Sequence, residues 1–308
     1  MKVELTKHDR ICFLGDSITQ NGQWIAEICE YFKEHLPELE IGFYNCGVAG
    51  TSAWTALLKN RIYCDCLYLF PKYTVIMFGM NDIGRFLYGK EDEESQNARI
   101  RRIKLYEKSM REIIQQCQDA GTIPILCSPT PYDEYNDFEP EESVGLDQAL
   151  MECTSIVKRL AEENQYLYMD MHRVLMDYMH RKPIGPDRVH PNPFGHHLLA
   201  ECFLCGIGVK RAMEPEKEVV LQEKNQARYE AEQILRKVVS VERDLMGWHH
   251  LEEDLTLEER KSQVQKRLEQ EKGEGVCLAL RTYLEQVDFK EKLRGDVVRK
   301  TIEMYLTR

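Results

Sequence analysis

Along the first two thirds of the chain, short apolar runs alternate with longer amphipathic stretches. The run at 10–15 (RICFLG) is apolar and ends in glycine. From 18 to 36 the apolar residues Ile18, Trp24, Ile25, Ile28, Cys29 and Phe32 recur at helical spacing, which predicts one helix. A second short strand is expected at 40–46, and 52–58 reads as the start of a helix. Residues 73–79 (YTVIMFG) read as a buried strand. The pattern at 98–120 predicts a long helix stopped by Gly121. A strand at 122–128 (TIPILCS) ends before Pro129 and Pro131. Further helices are expected at 142–164 and 193–205, with a short strand at 166–170 between them.

Strands alternating with helices in this way predict βαβ units and a parallel sheet. Such a sheet is covered on both faces, so its strands read as unbroken apolar runs. The expected fold class is α/β, a three-layer α/β/α sandwich. Open α/β sheets bind ligands beyond the carboxyl ends of their strands. Chemistry is therefore sought just after Leu14, Cys46, Phe78 and Leu126.

The pattern changes at Glu214. Residues 214–308 hold 39 charged side chains in 95, about 41%, against about 25% over 1–213. Val219, Val220, Ile234, Leu235, Val238 and Val239 recur at helical spacing, which predicts charged amphipathic helices. Two parts are expected: an α/β domain at 1–213 and a charged α-helical extension at 214–308.

Charge and composition narrow the class. The 308 residues carry 41 Lys and Arg against 52 Asp and Glu, a net charge of −11. That balance argues against nucleic acid or an anionic membrane as partner, since both select basic patches. The longest apolar run near the N-terminus, Ile11 to Leu14, is far short of the roughly 7–15 residues of a signal-peptide core. No stretch approaches the roughly 18 apolar residues of a membrane span. Eleven cysteines, an odd number set mostly in apolar runs, fit a reduced cytoplasm.

Four segments carry candidate chemistry. Gly15-Asp16-Ser17 follows the first strand, and Asn45-Cys46-Gly47-Val48-Ala49-Gly50-Thr51 follows the second. Gly79-Met80-Asn81-Asp82 follows the third, and Asp187-Arg188-Val189-His190-Pro191 comes late in the chain. Taken singly, each has an ordinary reading. Ser17 or Asp16 caps a helix, Gly47 and Gly50 make turns, Asn81 caps or turns, and Pro-Asp-Arg is a surface turn. Each also has a chemical reading. A serine at a strand-to-helix turn can be a nucleophile, a histidine its base, and a carboxylate three residues away that base's orienting group. Gly50 N–H and the Asn81 amide can face a developing oxyanion.

Together, in the order Ser, Gly, Asn, His, the four blocks resemble the SGNH (GDSL-type) hydrolases over about residues 8–212. The blocks read GDSITQNG, NCGVAGT, GMND and DRVHP here. The resemblance implies a flavodoxin-like sandwich with Ser17 as nucleophile, His190 as base and Asp187 orienting it. It also implies an oxyanion hole made of the Ser17 N–H, the Gly50 N–H and the Asn81 side chain.

GDSIT with Asn21-Gly22, and DRVHPNPFGHHLLAECFL, look like the branch with intracellular acetylxylan esterases and sugar deacetylases. The activity this implies is hydrolysis of small acyl esters, acetyl foremost, on sugars or oligosaccharides through an acyl-enzyme. A lysophospholipase or thioesterase of the same family, or a non-catalytic sugar-binding protein with a relic site, are the alternatives. Trp54, just after the glycine block, is the candidate sugar contact, and Trp24 is assigned to the core.

No cofactor or metal is implied. Cys202-x-x-Cys205 and Cys64-x-Cys66 each lack a second ligand pair, and no phosphate-loop or dinucleotide fingerprint occurs. The expected partner is a small acetylated sugar, with no nucleic acid and no membrane. A homo-oligomer through the C-terminal helices is expected.

Overall fold

Five parallel strands form one sheet in the order β2-β1-β3-β4-β5. The structure, a computed structural model, describes residues 2–214 apart from 59–60, 91, 137–143 and 182, together with four residues of the tail. The strands are β1 (Arg10–Gly15), β2 (Gly42–Asn45), β3 (Tyr73–Met77), β4 (Ile123–Cys127) and β5 (Leu167–Met169). The helices are α1 (Ser17–Asn21), α2 (Gln23–His35), α3 (Ala53–Ala56), α4 (Arg61–Asp65), α5 (Glu93–Asp119), α6 (Leu146–Asn164), α7 (Met171–Met179) and α8 (Pro193–Gly206). The protein is α/β, with helices on both faces of the sheet.

Alternation along each strand explains why the runs look uniformly apolar. In β1, Ile11 and Phe13 face a core shared with α2, α7 and α8, whereas Cys12 and Leu14 face one shared with α5 and α6. Val75 and Met77 of β3 join the first core and Ile76 the second; Ile125 and Leu126 of β4 divide the same way. Two cores sandwich one sheet, so both faces of the inner strands are mostly apolar; Thr74 of β3, fully buried, pairs its hydroxyl with that of Thr122 at 2.9 Å. The edge strand β2 is only partly covered.

Helix α5 shows how a charged sequence still docks. Tyr106, Met110, Ile113, Ile114 and Cys117 are its main buried apolar residues, and their spacing makes one stripe. It starts at Glu93, earlier than its apolar pattern, because the Asp92 side chain accepts the Ser95 N–H at 2.7 Å as a cap.

The single helix expected at 18–36 is two. Gly22 has φ +76°, a left-handed conformation that favours glycine, and it ends α1 while opening α2. The apolar periodicity runs through the break without registering it. The helix expected at 142–164 begins at Leu146, behind Gly145 with φ +94°. Helices α4 and α7 were not anticipated.

The chain divides into two units, Met1–Val220 and Leu221–Arg308. The helical extension expected at 214–308 lies outside the described residues, save that Ser262, Gln265, Lys266 and Glu269 are helical and exposed. Among the described residues no helix is long and apolar enough to cross a membrane.

Strand order sets where a site can form. Moving outward from β1, the chain goes to β2 on one side and β3 on the other, so the crevice at their carboxyl ends is the switch point of this topology. β1 leads into Ser17, β2 into Gly50 and β3 into Asn81.

Candidate active site

Ser17 is the first residue of α1, directly after β1. Asp16 caps that helix, its Oδ1 accepting the Ile18 N–H at 3.0 Å. The capping reading of this block thus falls to Asp16, and the Ser17 hydroxyl is left for another partner. That partner is His190: Ser17 Oγ lies 2.9 Å from His190 Nε2.

The His190 segment is folded around Asp187. Asp187 Oδ1 accepts the N–H groups of Val189 and His190 at 2.7 and 2.6 Å. Asp187 Oδ2 lies 2.9 Å from His190 Nδ1. With the ring hydrogen on Nδ1, the imidazole donates to the carboxylate and its Nε2 lone pair accepts from the serine hydroxyl. Burial pushes the Asp187 carboxyl up, but the His190 N–H, the His190 ring and the Val189 N–H outweigh it and hold it below the usual range. Arg188, between the two residues, donates to the carbonyls of Asp133 and Asn136 at 2.8 and 3.0 Å. Its own carbonyl accepts the Asp133 N–H at 2.9 Å. The loop is therefore pinned to the segment that follows β4.

The glycine block turns back on itself through a Thr51 N–H to Val48 carbonyl bond of 3.2 Å. Gly50 occupies this turn with φ +72°, where a side chain would strain the backbone. Space for a Cβ at Gly50 is open, and its N–H has no partner among the described residues. Gly47 differs: a Cβ there would meet the Gln20 backbone at 2.3 Å, and its N–H is held by Asn45 Oδ1 at 3.0 Å. Gly47 serves packing, and Gly50 carries the uncommitted donor. Gln20 Oε1 accepts the Ala49 N–H, which ties this turn to α1. Arg61, 5% exposed, braces it from below through the Thr55 carbonyl at 3.2 Å and Thr51 Oγ1 at 3.5 Å.

Asn81 follows β3 and faces the same turn. Its Nδ2 donates to the Thr51 carbonyl at 3.1 Å, which fixes the amide's orientation. The other contact of Nδ2, to Asp16 Oδ2, is long at 3.5 Å, so its second hydrogen is weakly engaged. Burial raises the Asp16 carboxyl to about 6, while the Ile18 N–H and the charges of His190 and Arg85 pull the other way.

Ser17, His190 and Asp187 form one hydrogen-bonded chain, and Asn81 is bonded to the turn that holds Gly50. Trp54 is at the start of α3, half-buried, and its indole nitrogen is buried with no hydrogen-bond partner among the described residues. Trp24 is in the core, edge-on to Phe13 at 5.0 Å. His196 and His197 are buried in α8, and His197 bonds to Glu27 and the Glu214 carbonyl.

Three features escaped sequence reasoning. Asp82, beside Asn81, is buried and accepts the Ala53 N–H at 2.9 Å. His172 pairs with Asp147 at 3.0 Å, a partner 25 positions away that no spacing rule reveals. Cys12, Cys46 and Cys66, from three separate segments, bring their sulfurs within 4.8 Å of one another in the core. The Glu27, His197 and Glu201 group also has ligand spacing, but Glu201 already accepts from Lys210 at 2.6 and 2.7 Å.

Residues 13–198 match the model of the GDSL-like Lipase/Acylhydrolase family. An acetylxylan esterase of Geobacillus stearothermophilus is 26% identical over 218 residues, spanning 65% of this chain and 94% of that protein. The crystal structure of that organism's acetylxylan esterase Axe2 superposes with a TM-score of 0.57 at 24% identity, covering 68% of this chain and 99% of Axe2. A gut microbial diltiazem-metabolizing enzyme superposes with a TM-score of 0.59 at 24% identity, covering 68% of this chain and 48% of that one. At this identity the structural likenesses speak for the fold.

Proposed function

We propose, from the premise that the chain belongs to the GDSL-like lipase/acylhydrolase family and is a carboxylic ester hydrolase, that it removes acetyl groups from sugars or oligosaccharides through an acyl-enzyme on Ser17. The observation that carries the chemistry is the continuous hydrogen-bonded chain Ser17–His190–Asp187, with links of 2.9 and 2.9 Å.

In this reading His190 Nε2 takes the Ser17 proton as Oγ attacks the ester carbonyl. Asp187 keeps the imidazole in the required tautomer and stabilises the imidazolium. The tetrahedral oxyanion is met by the Gly50 N–H, the Ser17 N–H and the weakly engaged hydrogen of Asn81. His190 then returns its proton to the leaving alcohol. A water, deprotonated by the same nitrogen, attacks the acyl-serine and releases the acid.

The acetyl and sugar assignments rest on the relative of 26% identity, named an acetylxylan esterase. Trp54 beside the glycine turn supports a sugar contact. The cytoplasm is the proposed compartment, supported by nine free cysteines among the described residues, seven of them buried. The proposed boundary between a catalytic domain at 1–213 and an oligomer-forming extension at 214–308 rests on the composition change at Glu214.

The test is a series of p-nitrophenyl esters together with acetylated xylo-oligosaccharides. A short pocket gives kcat/KM falling steeply from acetate to hexanoate, because added methylenes clash instead of gaining about 0.8 kcal/mol each. Acetate release from the oligosaccharides is expected. Octanoate outperforming acetate would overturn the acetyl assignment and favour a lipid esterase or thioesterase.

A further inference from the structure

Asp82 is 2% exposed, yet it sits between the two loops that carry the candidate oxyanion donors. Its Oδ1 accepts the Ala53 N–H at 2.9 Å, the first N–H of α3, three residues after Gly50. Its neighbour Asn81 reaches the same stretch through the Thr51 carbonyl. Two adjacent side chains thus hold the end of the Gly50 turn and the start of the helix that follows it. Asp82 Oδ2 is buried without a hydrogen-bond partner among the described residues. A carboxylate anion with a bare oxygen in the interior would be costly even with the Ala53 and Gly79 N–H groups beside it, and the uncharged acid is far cheaper.

We propose, building on the reading of Ser17, Gly50 and Asn81 above, that Asp82 is a positioning residue for acyl transfer: uncharged, it clamps the Gly50 turn to the Asn81 loop. Its ionisation would place negative charge directly behind the amide that meets the oxyanion, opposing the transition state.

Burial outweighs the groups that face Asp82 and favour its charged form. Burial pushes its carboxyl up to about 8; the Ala53 N–H pulls it down, the Asp16 charge pushes it up, and Arg102 of α5 pulls it down. Tyr106 of α5 and Cys153 of α6 also face it, and both are themselves raised by burial and stay neutral. The sign follows: Asp82 is neutral below about 8 and charged above. Turnover at saturating substrate should therefore fall on the alkaline side.

The experiment measures kcat and KM for acetate ester hydrolysis across neutral to alkaline pH, with Ser17→Ala as the blank. Asp82→Asn keeps the acceptor and cannot ionise. It should retain kcat within about threefold at neutral pH and lose the alkaline decline. Asp82→Ala loses the clamp and should lower kcat about 10–100-fold with KM nearly unchanged. Asp82→Asn as impaired as Asp82→Ala, an alkaline decline that survives in Asp82→Asn, or an Asp82→Asn chain that does not fold would each overturn the proposal. Activity surviving in Ser17→Ala would instead sink the reading of the site on which it builds.

Discussion

Two His–Asp pairs lie in the same α/β unit, and their distances barely differ. His190 meets Asp187 at 2.9 Å, and His172 meets Asp147 at 3.0 Å. A serine attends each. Ser17 bonds to the His190 ring, whereas Ser128 accepts the backbone N–H of His172 at 2.8 Å. The His190 side chain is 45% exposed and the His172 side chain 9%. Asp147 Oδ1 also accepts the Tyr132 N–H at 3.0 Å, so the buried pair staples α6, α7 and the segment after β4 together. The contrast teaches that Ser, His and Asp near one another do not make a proton relay. A relay needs the serine on the ring nitrogen opposite the carboxylate, at an edge that substrate can reach.

That contrast can be broken most sharply at the proposed relay of Ser17, His190 and Asp187. Ser17→Ala and His190→Ala should each lower kcat about 10⁴–10⁶-fold, because such residues act as a unit. Melting temperatures should change little. His172→Ala should leave the turnover of folded protein within a few-fold, read by initial rates on active-site-titrated enzyme. Equal losses at His172 and His190 would erase the distinction drawn above.

Asn81→Ala comes next: as a proposed oxyanion donor, its loss should lower kcat about 10²–10³. KM should hardly move, because the charge it meets arises in the transition state. A change confined to KM would make Asn81 a ground-state contact.

At the buried pair the expected effect is on stability. Asp147→Ala or His172→Ala should cost about 1–3 kcal/mol by leaving a buried polar partner unmet. The double variant should cost less than the sum of the two, as groups in contact do not add. Urea melts of the three variants measure this.

The smallest effect is that of acid on the exposed pair. The Asp187 carboxyl is lowered in the folded state. Its contribution to stability is therefore present above the usual carboxylate pKa of about 3.9 and lost as pH falls through the lower folded value. With the side chain half in solvent the contribution is small. Melting curves of the parent and Asp187→Asn should converge in acid, and a constant gap between them would show that the pair contributes nothing through ionisation.

Much of the architecture was legible in the chain. Each expected strand falls within a residue or two of its observed place, because strands covered on both faces are mostly apolar. The three blocks at strand ends, GDS, the Gly47–Gly50 stretch and GMND, were legible as well, as was the late DRVHP block, since all four are compact and ordered. The break at Gly22 was not, because Ile18 and Ile25, seven apart, keep one periodicity across a residue whose positive φ leaves no mark in it. Helix α7 was missed because its short apolar stripe is mixed with His172, Arg173 and Asp177.

The sequence by itself determined the layer order, the strand-end positions of Ser17, Gly50 and Asn81, and the spacing that lets Asp187 fold onto His190. These are local: they depend on periodicity, on turn chemistry and on residues three apart. Tertiary structure alone decided that Ser17 meets a ring 173 positions away, and that His172 finds Asp147. It also decided that Asp82 is buried next to Asn81 with one oxygen unpaired among the described residues. A hydrogen bond between distant segments is set by how β1, β3 and the helices pack around two cores, and the energy of a buried carboxyl is set by what surrounds it. Neither quantity is a property of any window of the chain.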